Sequence, residues 1–200
     1  IRSEHPGEDG SARLLVALAD GQTVESVRLP RGGLCVSTQI GCAVGCTFCM
    51  TGTGGLIRQL GSAEIVAQVA LARAARPVNK VVFMGMGEPA HNLDAVLEAI
   101  DLLGTLGNVG HKNLVFSTVG DLRAFDALPR GSVIGTCSSR RQAQVHLRRP
   151  DLVCRPTVGR PPAMVRRRDA VAHRVCPRAV PCAPAGVQRG ATRLSKGGGV

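Results

Sequence analysis

A chain of 200 residues, 44% hydrophobic and 20% charged, is long enough for one packed domain. Its 25 glycines and 12 prolines fall below the share that marks low-complexity chains, and no stretch nears the apolar length of a membrane span. The net charge of +11 is uneven: residues 1–136 balance at −1, while residues 137–200 carry +12, with 13 arginines opposed only by Asp151 and Asp169.

Residues 24–29 (VESVRL) alternate apolar and polar side chains and read as a strand, closed by Pro30 and the turn Arg31-Gly32-Gly33. Residues 34–39 (LCVSTQ) form a second short strand, and the Gly-, Thr- and Cys-rich stretch 41–55 is a loop. Ser62 reads as the N-cap of a helix with Glu64 in its first turn, where the helix dipole favours negative charge. Ile65, Val69 and Ala72 recur at helical spacing, and Pro77 stops the run. Residues 80–84 (KVVFM) are a nearly continuous apolar strand of the kind buried on both faces, ended by Gly85. A second helix follows Asn92, with Val96, Ile100 and Leu103 on one face and Gly104 closing it. Residues 113–119 (NLVFSTV) give a further strand, ended by Gly120.

Beyond residue 136 the periodicity disappears: Arg is frequent, Glu is absent, and Pro recurs at 150, 156, 161, 162, 177, 181 and 184. No helix or strand is legible there. A basic tail of this kind can hold phosphates electrostatically, although the four Phe, with no Tyr or Trp, leave few rings for stacking bases.

Strands alternating with helices imply an α/β fold of parallel βαβ units. Ligands of such sheets sit at the carboxyl ends of the strands, where loops 41–55 and 85–92 both fall. The first loop carries Cys42, Cys46 and Cys49 as C-x3-C-x2-C. Three thiolates can hold three irons of a cubane cluster and leave the fourth open to a small molecule, and Gly41 and Gly45 permit the wrapping. The alternative is a structural zinc site with Cys35 as fourth ligand, although zinc sites usually pair two short-spaced knuckles. In the second loop, Gly85 and Gly87 let backbone approach a ligand, and Glu88 offers a carboxylate to an ammonium group.

C-x3-C-x2-C followed by Gly85-Met86-Gly87-Glu88-Pro89 resembles the radical S-adenosylmethionine (radical SAM) superfamily. The wider text, from Cys35-Val36-Ser37-Thr38-Gln39 to Phe116-Ser117-Thr118, resembles its RlmN/Cfr family of 23S rRNA adenine C2- or C8-methyltransferases. The likeness covers roughly residues 12–135 and implies a partial (β/α) barrel. It divides the chain into a lead-in region 1–33, a core 34–136 and a basic segment 137–200. By position it implies Cys42, Cys46 and Cys49 as ligands of a 4Fe–4S cluster, with Gly87, Glu88 and Ser117 as contacts to SAM. It further implies Cys35 as the thiol that resolves a protein–RNA adduct and Glu25 as the acceptor of the adenine proton. The implied chemistry is reductive cleavage of SAM to a 5′-deoxyadenosyl radical, which takes hydrogen from a methyl group carried on a second cysteine. The implied partners are 23S rRNA, with tRNA for the RlmN type, and an electron donor such as flavodoxin, acting on a cytoplasmic monomer.

Two departures stand out. The Ser-Leu-His strand of the family is missing, and none of Cys137, Cys154, Cys176 and Cys182 lies in the Ala-rich, Gly-Gln context of the methyl-bearing cysteine. The chain therefore reads as a piece of a longer protein without a targeting leader, leaving its family near residue 136 as a frameshifted GC-rich gene would, and inactive as it stands. Another radical SAM enzyme and a zinc-bearing nucleic-acid-binding module are the competing readings.

Overall fold

A computed structural model describes residues 1–130, 132–136, 139–156 and 172–175. Its first strands are β1 (Ser3–Pro6), β2 (Ala12–Ala17), β3 (Thr23–Leu29), β4 (Gly33–Val36), β5 (Gln39–Gly41) and β6 (Leu56–Gln59). They are followed by α1 (Ser62–Arg73), β7 (Lys80–Phe83), α2 (Leu93–Thr105), β8 (Leu114–Thr118) and α3 (Leu122–Ala127). The described remainder contains β9 (Val133–Thr136), α4 (Ser139–Arg148), β10 (Val153–Pro156) and β11 (Ala172–Val175). One sheet runs in the order β1-β2-β3-β4-β7-β8-β11-β9-β10, and β5 pairs with β6 apart from it. The β1–β4 edge is antiparallel, whereas β4, β7, β8, β11, β9 and β10 are parallel neighbours. The expected α/β architecture with parallel βαβ units is therefore present.

Period-two alternation decides which face of the sheet each side chain occupies. Leu14, Val24, Leu34, Val81, Phe83, Leu114 and Phe116 turn to one face and pack with Ile65 and Val69 of α1 and Val96, Ile100 and Leu103 of α2. Burying a side chain such as fully covered Phe83 contributes roughly 1.5–3 kcal/mol. In register, Val27 pairs with Cys35, Cys35 with Val82 and Val82 with Val115, so these occupy the opposite face together with Glu25 and Ser117. The helices thus cover one side, and three of the candidate site residues share the other.

Several boundaries differ from the sequence reading. The strand expected over 34–39 is split into β4 and β5, because Ser37 and Thr38 hydrogen-bond to the Met86 region instead of continuing the ladder. Gly61, not Ser62, caps α1, and the Glu64 carboxylate accepts from the Gly61 N–H at 2.9 Å. Gly104 lies inside α2, which runs one residue further to Thr105. After residue 136 the described residues do contain regular structure, where no element is legible in the sequence. The helix α4 and the parallel pair β9–β10 enclose a second core of Phe125, Leu128, Ile134, Val145 and Leu152, separate from the first. Among the described residues no helix is long and apolar enough to cross a membrane.

Candidate active site at the strand ends

The cysteine loop is closed at its base. Cys42 N–H donates to the Gly55 carbonyl at 2.9 Å, and β5 meets β6 through Gln39 with Gln59 and Ile40 with Arg58. Gly41 sits at φ +74°, and a Cβ there would lie 2.0 Å from the Gly55 oxygen, so only glycine lets the two ends of the loop touch. Inside the loop Cys49 N–H donates to the Cys46 carbonyl at 3.0 Å, turning the chain so that Cys46 and Cys49 are half-buried while Cys42 is buried. Burial pushes the Cys42 thiol up, and the nearby Glu88 carboxylate and Cys49 add in the same direction. The backbone N–H groups of Val44 and Glu88 oppose it. The two chemically loaded loops are linked through Gln39, which stands three residues before Cys42 and accepts from Glu88 N–H at 2.7 Å.

Arg58 braces this loop from outside. Its guanidinium forms a fork to Glu64 at 2.8 and 2.9 Å and reaches Asp20 at 2.7 Å, joining the β2–β3 turn, β6 and α1. Glu64 and Asp20 are both held below their usual carboxylate range by hydrogen bonds, Glu64 chiefly by Arg58 and Asp20 chiefly by the Gln22 N–H.

The turn 85–88 is fastened residue by residue to the segment after β4. Gly85 N–H donates to the Val36 carbonyl, Met86 N–H to Ser37 Oγ, and Glu88 N–H to Gln39 Oε1 at 2.7 Å. In return Thr38 and Gln39 N–H groups donate to the Met86 carbonyl. A Cβ on Gly85 would meet Ser37 Oγ at 2.7 Å and its N at 2.8 Å, and one on Gly87, at φ +100°, would meet the Gln39 side chain at 2.6 Å. Both glycines thus let this turn close onto residues 36–39. Glu88 is 3% exposed, and its oxygens accept from Ala90 N–H at 3.0 Å and Val119 N–H at 2.9 Å. It thereby bridges the ends of β7 and β8. Each carboxylate oxygen has a second lone pair, so acceptor capacity remains for an ammonium group.

Ser117 is buried near the end of β8, two residues before Val119. Cys35 lies in β4, 7% exposed; burial raises its thiol to about 11, although the Met84 backbone N–H acts against the shift. Glu25 is different: its side chain is 40% exposed and pairs with Arg13 at 3.2 Å. Its backbone is nonetheless built into the site, because the Glu25 carbonyl accepts from Ser37 Oγ and its N–H approaches Met86 Sδ at 3.4 Å.

The donor chemistry of the loop, three thiols on one closed loop, is of the kind that holds an iron–sulfur cluster. Among the described residues no group of three Cys, His, Asp or Glu side chains, the three loop cysteines included, stands together as a metal site. The sequence reading passed over the residues that carry the scaffold, Ser37, Gln39, Gln68 and Asn92. Asn92 Nδ2 donates to the Thr38 and Leu60 carbonyls, and Gln68 holds Ser26 and both backbone groups of Ser37. Ser37, Gln39 and Gln68 are 0–1% exposed and Asn92 is half-buried.

A parallel sheet whose strand ends carry a three-cysteine loop and a glycine–glutamate turn is the arrangement in which this chain is similar to the radical SAM class. The Radical SAM superfamily profile matches residues 36–130, just under half of the chain. A probable RNA methyltransferase of Methylibium petroleiphilum is 82% identical over 133 residues, which are 66% of this chain and 38% of that protein. One of Azoarcus is 81% identical over 133 residues, again 66% of this chain and 38% of the relative. This chain thus spans less than half the length of these relatives. The crystal structure of a radical SAM methyltransferase from Sphaerobacter thermophilus superimposes with a TM-score of 0.58 at 32% identity, covering 73% of this chain and 49% of that one. A second profile, the porphobilinogen deaminase dipyromethane cofactor binding domain, matches residues 106–195.

Proposed function

We propose that this chain is the central part of a radical SAM RNA methyltransferase of the RlmN/Cfr type, one that methylates an adenine at C2 in 23S rRNA and also in tRNA. The observation that carries the reading is the link between the two loops: Gln39, three residues before Cys42, accepts from Glu88 N–H at 2.7 Å, and Glu88 ties the ends of two neighbouring parallel strands. In this reading Cys42, Cys46 and Cys49 hold a 4Fe–4S cluster, and Gly87, Glu88 and Ser117 hold SAM. When bound, these groups supply one-electron chemistry, which suits a substrate carbon too electron-poor to attack a sulfonium methyl directly.

The chain's own residues then have separate tasks. Glu88 holds the ammonium end of SAM through its remaining lone pairs. Glu25, with Arg13 beside it, accepts the C2 proton of the base. Cys35, buried and protonated at neutral pH, would lose its proton and attack the sulfur of the methyl-bearing cysteine. The S–S bond forms as that sulfur's bond to the RNA-bound carbon breaks, and the carbon keeps the electron pair and takes up a proton to become the product methyl. The chain spans only 38% of its first relative, and none of its later cysteines has the family context of the methyl-bearing one. We therefore expect no methyl transfer by the 200-residue chain alone. Anaerobic reconstitution with iron and sulfide tests the reading: a brown protein whose colour is lost on replacing Cys42, Cys46 or Cys49 by Ala supports it. A colourless zinc protein overturns it. Methylated adenine in RNA incubated with the purified chain overturns the expected inactivity.

A second reading concerns only the tail, where the separate core around Ile134 and Leu152 coincides with the second profile match. This favours a joined segment of another family over an out-of-frame translation of residues 137–200. Translating the parent DNA in the other two frames distinguishes them, since a frameshift predicts that Ser-Leu-His and an Ala-Cys-Gly-Gln segment reappear.

A further inference from the structure

The geometry points to Gln39 as the positioning residue that sets Glu88 for the ammonium end of SAM and couples it to the cysteine loop, an inference that rests on the function proposed above. Gln39 is fully buried, and both ends of its amide are used. Its Oε1 accepts from Glu88 N–H at 2.7 Å, which fixes the orientation of the amide, since only an oxygen can accept there. Its Nε2 then donates to Gln59 Oε1 at 2.8 Å, and Gln59 Nε2 donates to the His91 carbonyl at 2.8 Å, beyond the far side of the same turn. The chain of amides therefore grips the Glu88 turn at both ends. The aliphatic part of Gln39 fills the space a side chain at Gly87 would need, its Cβ and Cγ standing 2.6 Å from that position. Gln39 begins β5, three residues before Cys42. A shift of Gln39 must therefore move the carboxylate and the first thiol together. Gln39 itself is fully buried although its partner Gln59 is exposed, and an amide that merely filled the core would have no reason to be aimed at a backbone N–H of the glycine–glutamate turn.

The test uses the full chain after anaerobic reconstitution and measures binding of SAM and of 5′-methylthioadenosine, which keeps the nucleoside and sulfur but lacks the amino-acid end. Gln39→Leu preserves bulk and removes the acceptor for Glu88 N–H; the expected result is about a tenfold loss of SAM affinity. Methylthioadenosine binding is expected to stay within about twofold of the parent, with iron and sulfide content unchanged. Because a buried substitution can impair folding, Gln59→Ala at the exposed end of the relay serves as the second variant, with a smaller loss confined to SAM. Glu88→Gln is the reference for the underlying reading. If Glu88→Gln is selective for SAM but Gln39→Leu and Gln59→Ala weaken both ligands equally, or neither, the role of Gln39 is overturned while that of Glu88 stands. If Glu88→Gln shows no selectivity, or the unaltered chain binds no SAM, the proposed site itself falls, and the inference with it.

Discussion

Individual side chains in this site are defined as much by what they exclude as by what they bind. Gly87 has φ +100° and no room for a Cβ against Gln39, so Gly87→Ala combines backbone strain with a steric clash. Its expected cost is on the order of 2 kcal/mol in chemical denaturation, with a parallel loss of SAM binding. A neutral Gly87→Ala in both measurements would contradict the packing described. Cys35 provides a pH test. Burial raises its thiol from 9.0 to about 11, so below pH 9 the proton is present in folded and unfolded chains alike and the stabilisation is complete. Between 9 and 11 the unfolded chain alone sheds the proton, and stability falls by roughly 1.4 kcal/mol per pH unit until the folded thiol also ionises. Urea denaturation of the parent against Cys35→Ala isolates this effect, since the other titrating groups cancel. Identical pH slopes in the two proteins would exclude a raised Cys35.

The elements that hold these residues were unequally legible. β7 and β8 are short apolar runs closed by glycine, and α1 and α2 show their buried stripes at helical spacing, so both βαβ units could be read directly. β1, β2 and β6 could not: β1 is mostly exposed, β6 sets Arg58 and Gln59 after the exposed Leu56 and Ile57, and in β2 the apolar Leu15 and Ala17 on the outer face mask the buried alternation of Ala12, Leu14 and Val16. The C-x3-C-x2-C loop announced itself by composition, whereas Gln68 was hidden because one polar residue in the apolar face of α1 looks like noise. It is the opposite. Gln68 is 1% exposed and accepts from Ser26 Oγ at 2.7 Å and Ser37 N–H at 2.9 Å, while donating to the Ser37 carbonyl at 2.9 Å. It pins α1 to β3 and to the segment that holds Met86. Gln68→Leu keeps the volume and strands three buried polar groups, for an expected loss on the order of 3 kcal/mol. Arg58→Met, by contrast, removes a bidentate pair that is about one-third exposed, and is expected to cost no more than about 1 kcal/mol, shrinking further in salt. Equal losses for the two substitutions would place the brace of the loop at its surface, not at its buried amide.

At the scale of the whole molecule the described residues form one large sheet, with the small β5–β6 pair beside it, but two cores. The first runs from Leu14 to Ala124 and includes the buried faces of α1 and α2; the second begins at Phe125 and ends at Leu152. The boundary lies within α3, close to the end of the Radical SAM match at residue 130 and inside the second profile match that starts at 106. Arg149 is the main polar tie inside the second unit, donating to the Phe125 carbonyl at 2.6 Å and the Leu128 carbonyl at 3.0 Å while paired with Asp151. The backbone link between the units is β11, hydrogen-bonded to β8 on one side and β9 on the other. Separate cores joined mainly by one strand should open separately. Leu152→Ala removes a leucine 1% exposed from the smaller core, at a cost of about 2–4 kcal/mol. Native-state hydrogen exchange should then show the amides of β9, α4 and β10 losing about 30-fold or more of their protection, with those of β4 and β7 unchanged. Leu34→Ala in the larger core should instead lower protection in β4, β7 and β8 together. A uniform loss across both cores from Leu152→Ala would mean that the two cores fold as one cooperative unit, and the boundary at α3 would then separate two sets of contacts without separating two units of stability.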